Sequence, residues 1–171
     1  SKVYAIDVGY GQLAWRLRQN PKVIPVERTN VRYLTPEKLY KEKENKAHLG
    51  TVDVSFISLE KIWPAVKNLL RPQGEVIALV KPQFEAEREK VEPGGLVKDK
   101  RVHQGVLYKV AISAQALGFK VLDLTSSPLQ GADGNLEFFI YLTKDQKRKR
   151  LADLNKKLKQ VVEEAHKVLG S

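Results

Sequence analysis

The chain has no cysteine and no methionine among its 171 residues. No disulfide framework and no cysteine metal site can therefore form. Histidine is nearly as scarce. His48, His103 and His166 are scattered, with no acid or cysteine at ligand spacing, so no metal is expected. Long apolar runs are missing too: none approaches the roughly 18 residues of a membrane span, and no signal-peptide pattern opens the chain. These absences argue against a helical membrane protein and a disulfide-stapled module, and they fit a soluble protein of the cytoplasm. Tryptophan occurs twice, and Trp15 and Trp63 fall within predicted helices, where packing is expected in place of base stacking. Internal repeats and low-complexity linkers are also absent, apart from a basic stretch after Thr143.

What is present is one domain's worth of chain, with 42% apolar and 29% charged residues, enough to bury a core. Thirty Lys and Arg against twenty acids leave a net charge of +10. That excess suggests a polyanionic partner, nucleic acid before an anionic membrane surface. Part of it is local: Lys144, Lys147, Arg148, Lys149 and Arg150 crowd one stretch, followed by Lys156, Lys157 and Lys159. The first five are the expected RNA contacts. The competing expectation is a solvated helix face. The chain opens at Ser1, almost inside a strand pattern, whereas termini usually extend beyond the first element. It reads as a fragment.

Apolar patterning predicts strands at 3–8, 22–27, 51–56, 75–80, 119–124 and 136–142. Pro25 places the second at an edge or an irregularity. Helices are predicted at 12–19, 59–70 and 99–117, with a short polar one opening after Thr35-Pro36 and decaying through 41–48. An amphipathic helix with apolar positions from Leu151 to Leu169 ends the chain. Residues 71–74 carry a turn signal, 131–135 turn between the last two strands, and 82–98 form a long polar loop of a length often tied to function. Strands alternating with helices predict an α/β fold with a mainly parallel sheet and a terminal antiparallel strand. Residues 1–143 form the domain, and 144–171 a basic helix packed on it.

Lys81 stands out. It ends Val76-Ile77-Ala78-Leu79-Val80, a run suited to a strand buried on both faces, and open α/β sheets place ligands at the carboxyl ends of such strands. Asp7 and Asp53 end or flank other strands, and Glu137 begins a strand whose reversal returns it to the same rim. Two acids around one lysine hold the ammonium and favour its charge, whereas burial favours the neutral amine. A lysine between those influences can take a proton from a hydroxyl. A structural ion-pair cluster is the alternative.

Several blocks occur in order: Lys2-Val3-Tyr4-Ala5-Ile6-Asp7-Val8-Gly9-Tyr10-Gly11-Gln12-Leu13, Glu27-Arg28-Thr29-Asn30-Val31-Arg32, Asp53-Val54-Ser55-Phe56-Ile57-Ser58-Leu59, Leu79-Val80-Lys81-Pro82-Gln83-Phe84-Glu85 and Gly134-Asn135-Leu136-Glu137-Phe138. Together they resemble the TlyA-type proteins, also called hemolysin A, which are FtsJ-like ribosomal RNA methyltransferases. The resemblance runs from about residue 2 to 143. It implies a Rossmann-like S-adenosylmethionine-dependent fold, N-terminally incomplete here, and methyl transfer to a ribose 2′-hydroxyl of ribosomal RNA in ribosomal subunits. It further implies that Lys81 is the base, supported by Asp53 and Glu137. Asp7, Val8, Asn30 and Asp53 would meet the cofactor, Asp7 at its ribose and Asn30 near its adenine. The family's glycine-rich loop, the strand before it, its first catalytic lysine and a small RNA-binding domain all lie upstream of the matching segment, so the chain alone is expected to be inactive. A non-catalytic RNA-binding module and a membrane-active hemolysin are the other readings.

Overall fold

The computed structural model describes residues 2–40, 46–131 and 134–168. β1 (Val3–Ile6) and β2 (Val23–Val26) pair in parallel across the single-turn helix α1 (Trp15–Arg18). Pro25 lies on β2, whose only partner among the described residues is β1, and its missing N–H faces away from β1. A 3-10 turn at Val31–Tyr33 and the short helix α2 (Pro36–Leu39) lead to β3 (Ala47–Val52). α3 (Trp63–Leu69) then crosses to β4 (Leu70–Val80), which runs parallel to β3. α4 (Pro82–Glu85), α5 (Lys100–Ala116), β5 (Lys120–Ser126), β6 (Phe138–Thr143) and α6 (Leu154–Val168) complete the described chain.

Four strands form one sheet in the order β3-β4-β6-β5, and β1 and β2 form another. β6 is antiparallel to both of its neighbours. β3, β4 and β5 therefore share one direction, and the last strand alone reverses within that sheet. The core lies against one face of it. Val76, Ala78 and Val80 of β4, Phe138, Ile140 and Leu142 of β6, and Val121 and Leu124 of β5 are all buried together with α3, α5 and α6. Leu158, Val161, Val162 and Ala165 carry α6 into that core, and burying such a stripe is the main stabilisation an amphipathic helix receives.

Several expectations need correction. β4 is not buried on both faces: Ile77 is 39% exposed, because the helices cover only the opposite side. The third strand is 47–52, so it replaces the end of the expected polar helix and stops before Asp53; the rest of that helix, 41–45, lies outside the described residues, as do 132 and 133 of the turn at 131–135. The turn at 71–74 survives as a bulge inside β4. Ala47 pairs with Leu70 and Leu49 with Glu75, leaving 71–74 without partners on β3. Gly74 permits this fold-back, since a Cβ there would lie 2.7 Å from that of Leu70. The long polar loop holds two short helical pieces, α4 and a 3-10 turn at Arg88–Lys90. Trp63 is fully buried as expected, but Trp15 is 72% exposed, because α1 has too few residues to pack both sides.

Among the described residues β1 pairs only with β2, and β3 only with β4. A cavity of about 260 Å³ separates the facing edges, lined by Tyr4, Ile6, Tyr40, Leu49, Val52 and Leu69 among others.

Candidate functional site

Parallel strands bring their carboxyl ends to one rim. Asp7 follows β1, Asp53 follows β3 and Lys81 follows β4. β6 starts with Phe138 opposite Val80, so the antiparallel register sets Glu137 beside Lys81. Lys81 Nζ lies 2.7 Å from Asp53 Oδ1 and donates to Ser55 Oγ at 3.2 Å. Its side chain is 15% exposed against 68% for Asp53, so a largely buried stem delivers the ammonium to a carboxylate at the solvent edge.

The turn that carries Lys81 is pinned from below. Glu85, at the end of α4, accepts from the Ser58 hydroxyl and the Leu59 amide, each at 2.7 Å. It thereby ties α4 to the segment that follows Asp53. Burial pushes the Glu85 carboxyl up, with these two hydrogen bonds opposing. Glu137 is buried and forms no ion pair among the described residues. Gln83 Nε2 approaches its Oε1 at 3.5 Å. Gly131 closes over the other side, where a Cβ would sit 2.2 Å from that same oxygen. The structure thus joins Asp53 to Lys81 directly and sets Glu137 beside them through Gln83.

Asp7 and Asn30 meet at the ends of β1 and β2. The Thr29 amide donates to the Asp7 carbonyl, and Arg28 N–H to that of Gly9, both at 2.9 Å. Asp7 Oδ1 accepts from Gly9 N–H at 2.7 Å, leaving Oδ2 open to solvent. Asn30 Oδ1 caps the 3-10 turn through Arg32 N–H, which leaves its amide nitrogen as a donor. Val8 between them is 70% exposed. A carboxylate acceptor, an apolar surface and an amide donor suit the hydroxyls, face and edge of a nucleoside. These residues fit the adenosine end of S-adenosylmethionine.

A family model described as FtsJ-like methyltransferase matches residues 1–144. The chain belongs to that family. It is 46% identical over 169 residues to a candidate rRNA methyltransferase of Bacillus subtilis, YqxC, covering 97% of this chain and 58% of that one. It is 44% identical over 140 residues to the 16S/23S rRNA (cytidine-2′-O)-methyltransferase TlyA of Mycobacterium tuberculosis, covering 82% and 51%. A solved candidate hemolysin from Streptococcus thermophilus superposes with a TM-score of 0.90 at 42% identity, over 99% of this chain and 59% of that one. The chain thus spans little more than half the length of these relatives. A candidate S-adenosylmethionine-dependent methyltransferase from Listeria monocytogenes, TM-score 0.59 at 16% identity over 85% and 80%, shares the fold. The architecture is the Rossmann-like methyltransferase fold.

In this FtsJ-like chain the expected RNA contacts divide. Lys144 Nζ donates to the carbonyls of Lys67 at 2.7 Å and Leu70 at 2.9 Å, capping the end of α3. Burial lowers its pKa, with Lys46 and Lys67 adding to the effect. Arg148 pairs with Glu75 at 2.8 Å. Lys147, Lys149 and Arg150 are exposed.

Sequence reasoning missed other exposed groups. Phe56 is 90% exposed, has φ 61°, and leans on Phe84 at 4.8 Å beside Ser55 and Lys81. A non-glycine residue in that region is strained, which marks functional positions. The arginines of Arg28 and Arg32 lie over the exposed rings of Tyr10 and Tyr33 at 4.6 and 5.4 Å. For Phe56, Tyr10, Arg28 and Arg32 a place in the matching blocks was the available signal; Tyr33 lies outside those blocks, and backbone strain and exposure leave no signal. Among the described residues no three His, Cys, Asp or Glu side chains converge as a metal site, and no helix is long and apolar enough to cross a membrane.

Proposed function

We propose that the chain is the catalytic part of an S-adenosylmethionine-dependent methyltransferase that modifies a ribose 2′-hydroxyl of ribosomal RNA. The observation that carries this reading is the Lys81 ammonium held by Asp53 and Ser55 at the carboxyl end of β4, with Glu137 at the adjacent register position. Two relatives with this stretch of sequence carry 2′-O-methyltransferase names.

Lys81, as the neutral amine, takes the hydroxyl proton, and Asp53 then holds the resulting ammonium, a general-base role worth roughly 10²–10⁴-fold in rate. Asp53 and Ser55 aim Nζ, and Glu137 balances the charge from the next strand. Asp7, Val8 and Asn30 hold the adenosine end of the cofactor, with Asp53 at the boundary between the two sites. When bound, S-adenosylmethionine supplies the methyl group. Phe56 offers a ring beside the lysine on which an unstacked base can lie. Lys147, Lys149, Arg150 and the arginines over Tyr10 and Tyr33 meet phosphates.

Methyl incorporation into ribosomal RNA by the full-length protein tests the proposal. Lys81→Ala should cut turnover at least 100-fold while calorimetry finds cofactor affinity within about twofold. Near-normal turnover in that variant removes the lysine from the mechanism.

A further inference from the structure

The turn that follows β3 carries Asp53, Ser55 and Phe56, and its backbone has little fastening of its own. Among the described residues, 53–57 make no backbone–backbone hydrogen bond beyond the strand ladders. Phe56 at φ 61° adds strain, which persists only where surrounding contacts over-determine the backbone. The polar and ring contacts described for 53–57 all lead to residues 81–85. Lys81 meets Asp53 and Ser55, and the Phe84 ring lies 4.8 Å from that of Phe56. Glu85 takes the far end of the turn. It is 6% exposed and accepts from the Ser58 hydroxyl and the Leu59 amide at 2.7 Å each. No cation pairs with it among the described residues; the nearby Lys109 ammonium instead approaches Glu60, at 3.8 Å. Burying a carboxylate without a cation is costly, so its two acceptor bonds have to hold something in place. They run from the end of α4, which begins directly after Lys81, to the first residues beyond the turn. Lys81 thus grips the start of the turn and Glu85 its end, from the two ends of one short segment.

We propose that Glu85 is a positioning residue that holds the Asp53–Ser55 turn against Lys81. The inference rests on the proposed role of Lys81. Glu85 acts through Ser58 and Leu59, not on the reacting atoms. Without it the far end of the turn is free to leave α4, and Asp53 and Ser55 no longer aim Nζ.

The test uses the full-length protein with Lys81→Ala, Glu85→Leu, Glu85→Gln, Ser58→Ala and the Lys81→Ala/Glu85→Leu double variant. Glutamine keeps both bonds without the charge: its carbonyl accepts from the Leu59 amide, and its NH₂ donates to Ser58 Oγ. Leucine fills the space but orphans the buried Leu59 amide, which lowers the melting temperature. Turnover is therefore measured where circular dichroism finds every variant folded. Glu85→Leu should lower kcat at least tenfold with cofactor affinity within twofold, and Glu85→Gln should stay within threefold of the parent. Residues that act as a unit are non-additive, so adding Glu85→Leu to Lys81→Ala should reduce its residual turnover less than twofold. General damage to packing predicts the same factor in both backgrounds. A further tenfold loss in the double variant overturns the proposal. So does kcat within twofold of the parent for Glu85→Leu, or a glutamine deficit as large as leucine's. Ser58→Ala covers the case in which leucine prevents folding. It breaks one of the two bonds at a half-buried position, and the Glu60 amide that Ser58 also caps is exposed to water. It should lower kcat at least threefold, and parental kcat there overturns the proposal. If Lys81→Ala keeps near-normal turnover, the underlying reading has failed; if it is impaired while Glu85→Leu is normal, only the Glu85 role has failed.

Discussion

The ammonium of Lys144 is directed inward, to the carbonyls of Lys67 and Leu70, where α3 leaves backbone acceptors without intrahelical partners. Its neighbours Lys147, Lys149 and Arg150 point to water. Charge counts treat these four alike, but their energetics differ. Lys144→Met keeps the stem and removes the donors, leaving two shielded carbonyls unsatisfied. It should destabilise the fold by about 1–2 kcal/mol in urea denaturation, with the salt dependence of RNA binding unchanged. A variant as stable as the parent would show that water replaces the ammonium at no cost.

At the scale of elements, the contact between α5 and α6 has a titratable seam. His103 on α5 is fully buried, edge-on to Phe138, and its Nδ1 lies 2.9 Å from Nε2 of His166 on α6. The two were expected to be scattered, but docking of α6 brings them together. Burial holds the pKa of His103 down to about 4 from 6.5, with the neighbouring His166 adding to the effect and Asp99 opposing it. His166 is lowered as well, by burial first and then by Lys100. His103 is therefore neutral in the native state and binds its proton more readily when unfolded. Its contribution is complete above pH 6.5 and is lost as pH falls from 6.5 towards 4, about 3 kcal/mol at most. Urea midpoints measured between pH 7 and 4 should fall more steeply for the parent than for His103→Gln. Parallel curves for the two proteins would assign the acid sensitivity to carboxylates elsewhere.

Taken whole, the molecule carries a net charge of +10, so its affinity for RNA should depend steeply on salt. Each phosphate contact releases condensed counterions. Replacing Lys147, Lys149 and Arg150 together with glutamine should flatten the log–log salt slope by roughly 2 in filter binding. Identical slopes would leave the basic run as a solvated face. The proposed cofactor site has its own consequence. In the proposed reading Asp7 holds the cofactor ribose, so Asp7→Ala should weaken S-adenosylmethionine binding at least roughly tenfold, about 1.4 kcal/mol. Equal affinity of the two proteins by calorimetry would remove Asp7 from that site.

The sequence by itself determined the order of elements and which residues end them. An apolar run cut by Lys81-Pro82, or closed by an acid such as Asp7, records a strand end, because burial of alternate side chains leaves a local pattern. Parallel crossovers then imply a common rim, so Asp53 and Lys81 were legible as neighbours before any coordinates, whereas Asp7 ends a strand of the other sheet. Boundaries were less so. The third strand ran from 47 to 52 in place of 51–56, since Ala47, Gly50 and Thr51 form too weak an apolar alternation to mark it. Partner choice was decided by tertiary structure alone. Nothing local separates Lys144 from Lys147, joins His103 to His166, sets Phe56 at φ 61° beside the lysine, or leaves the Gln83 oxygen unpartnered. Those outcomes depend on which surfaces meet when α6 docks, when β6 inserts between β4 and β5, and when Gly131 closes over Glu137. A residue's neighbours in sequence record which side of its element is buried, but the group it meets there comes from another part of the chain.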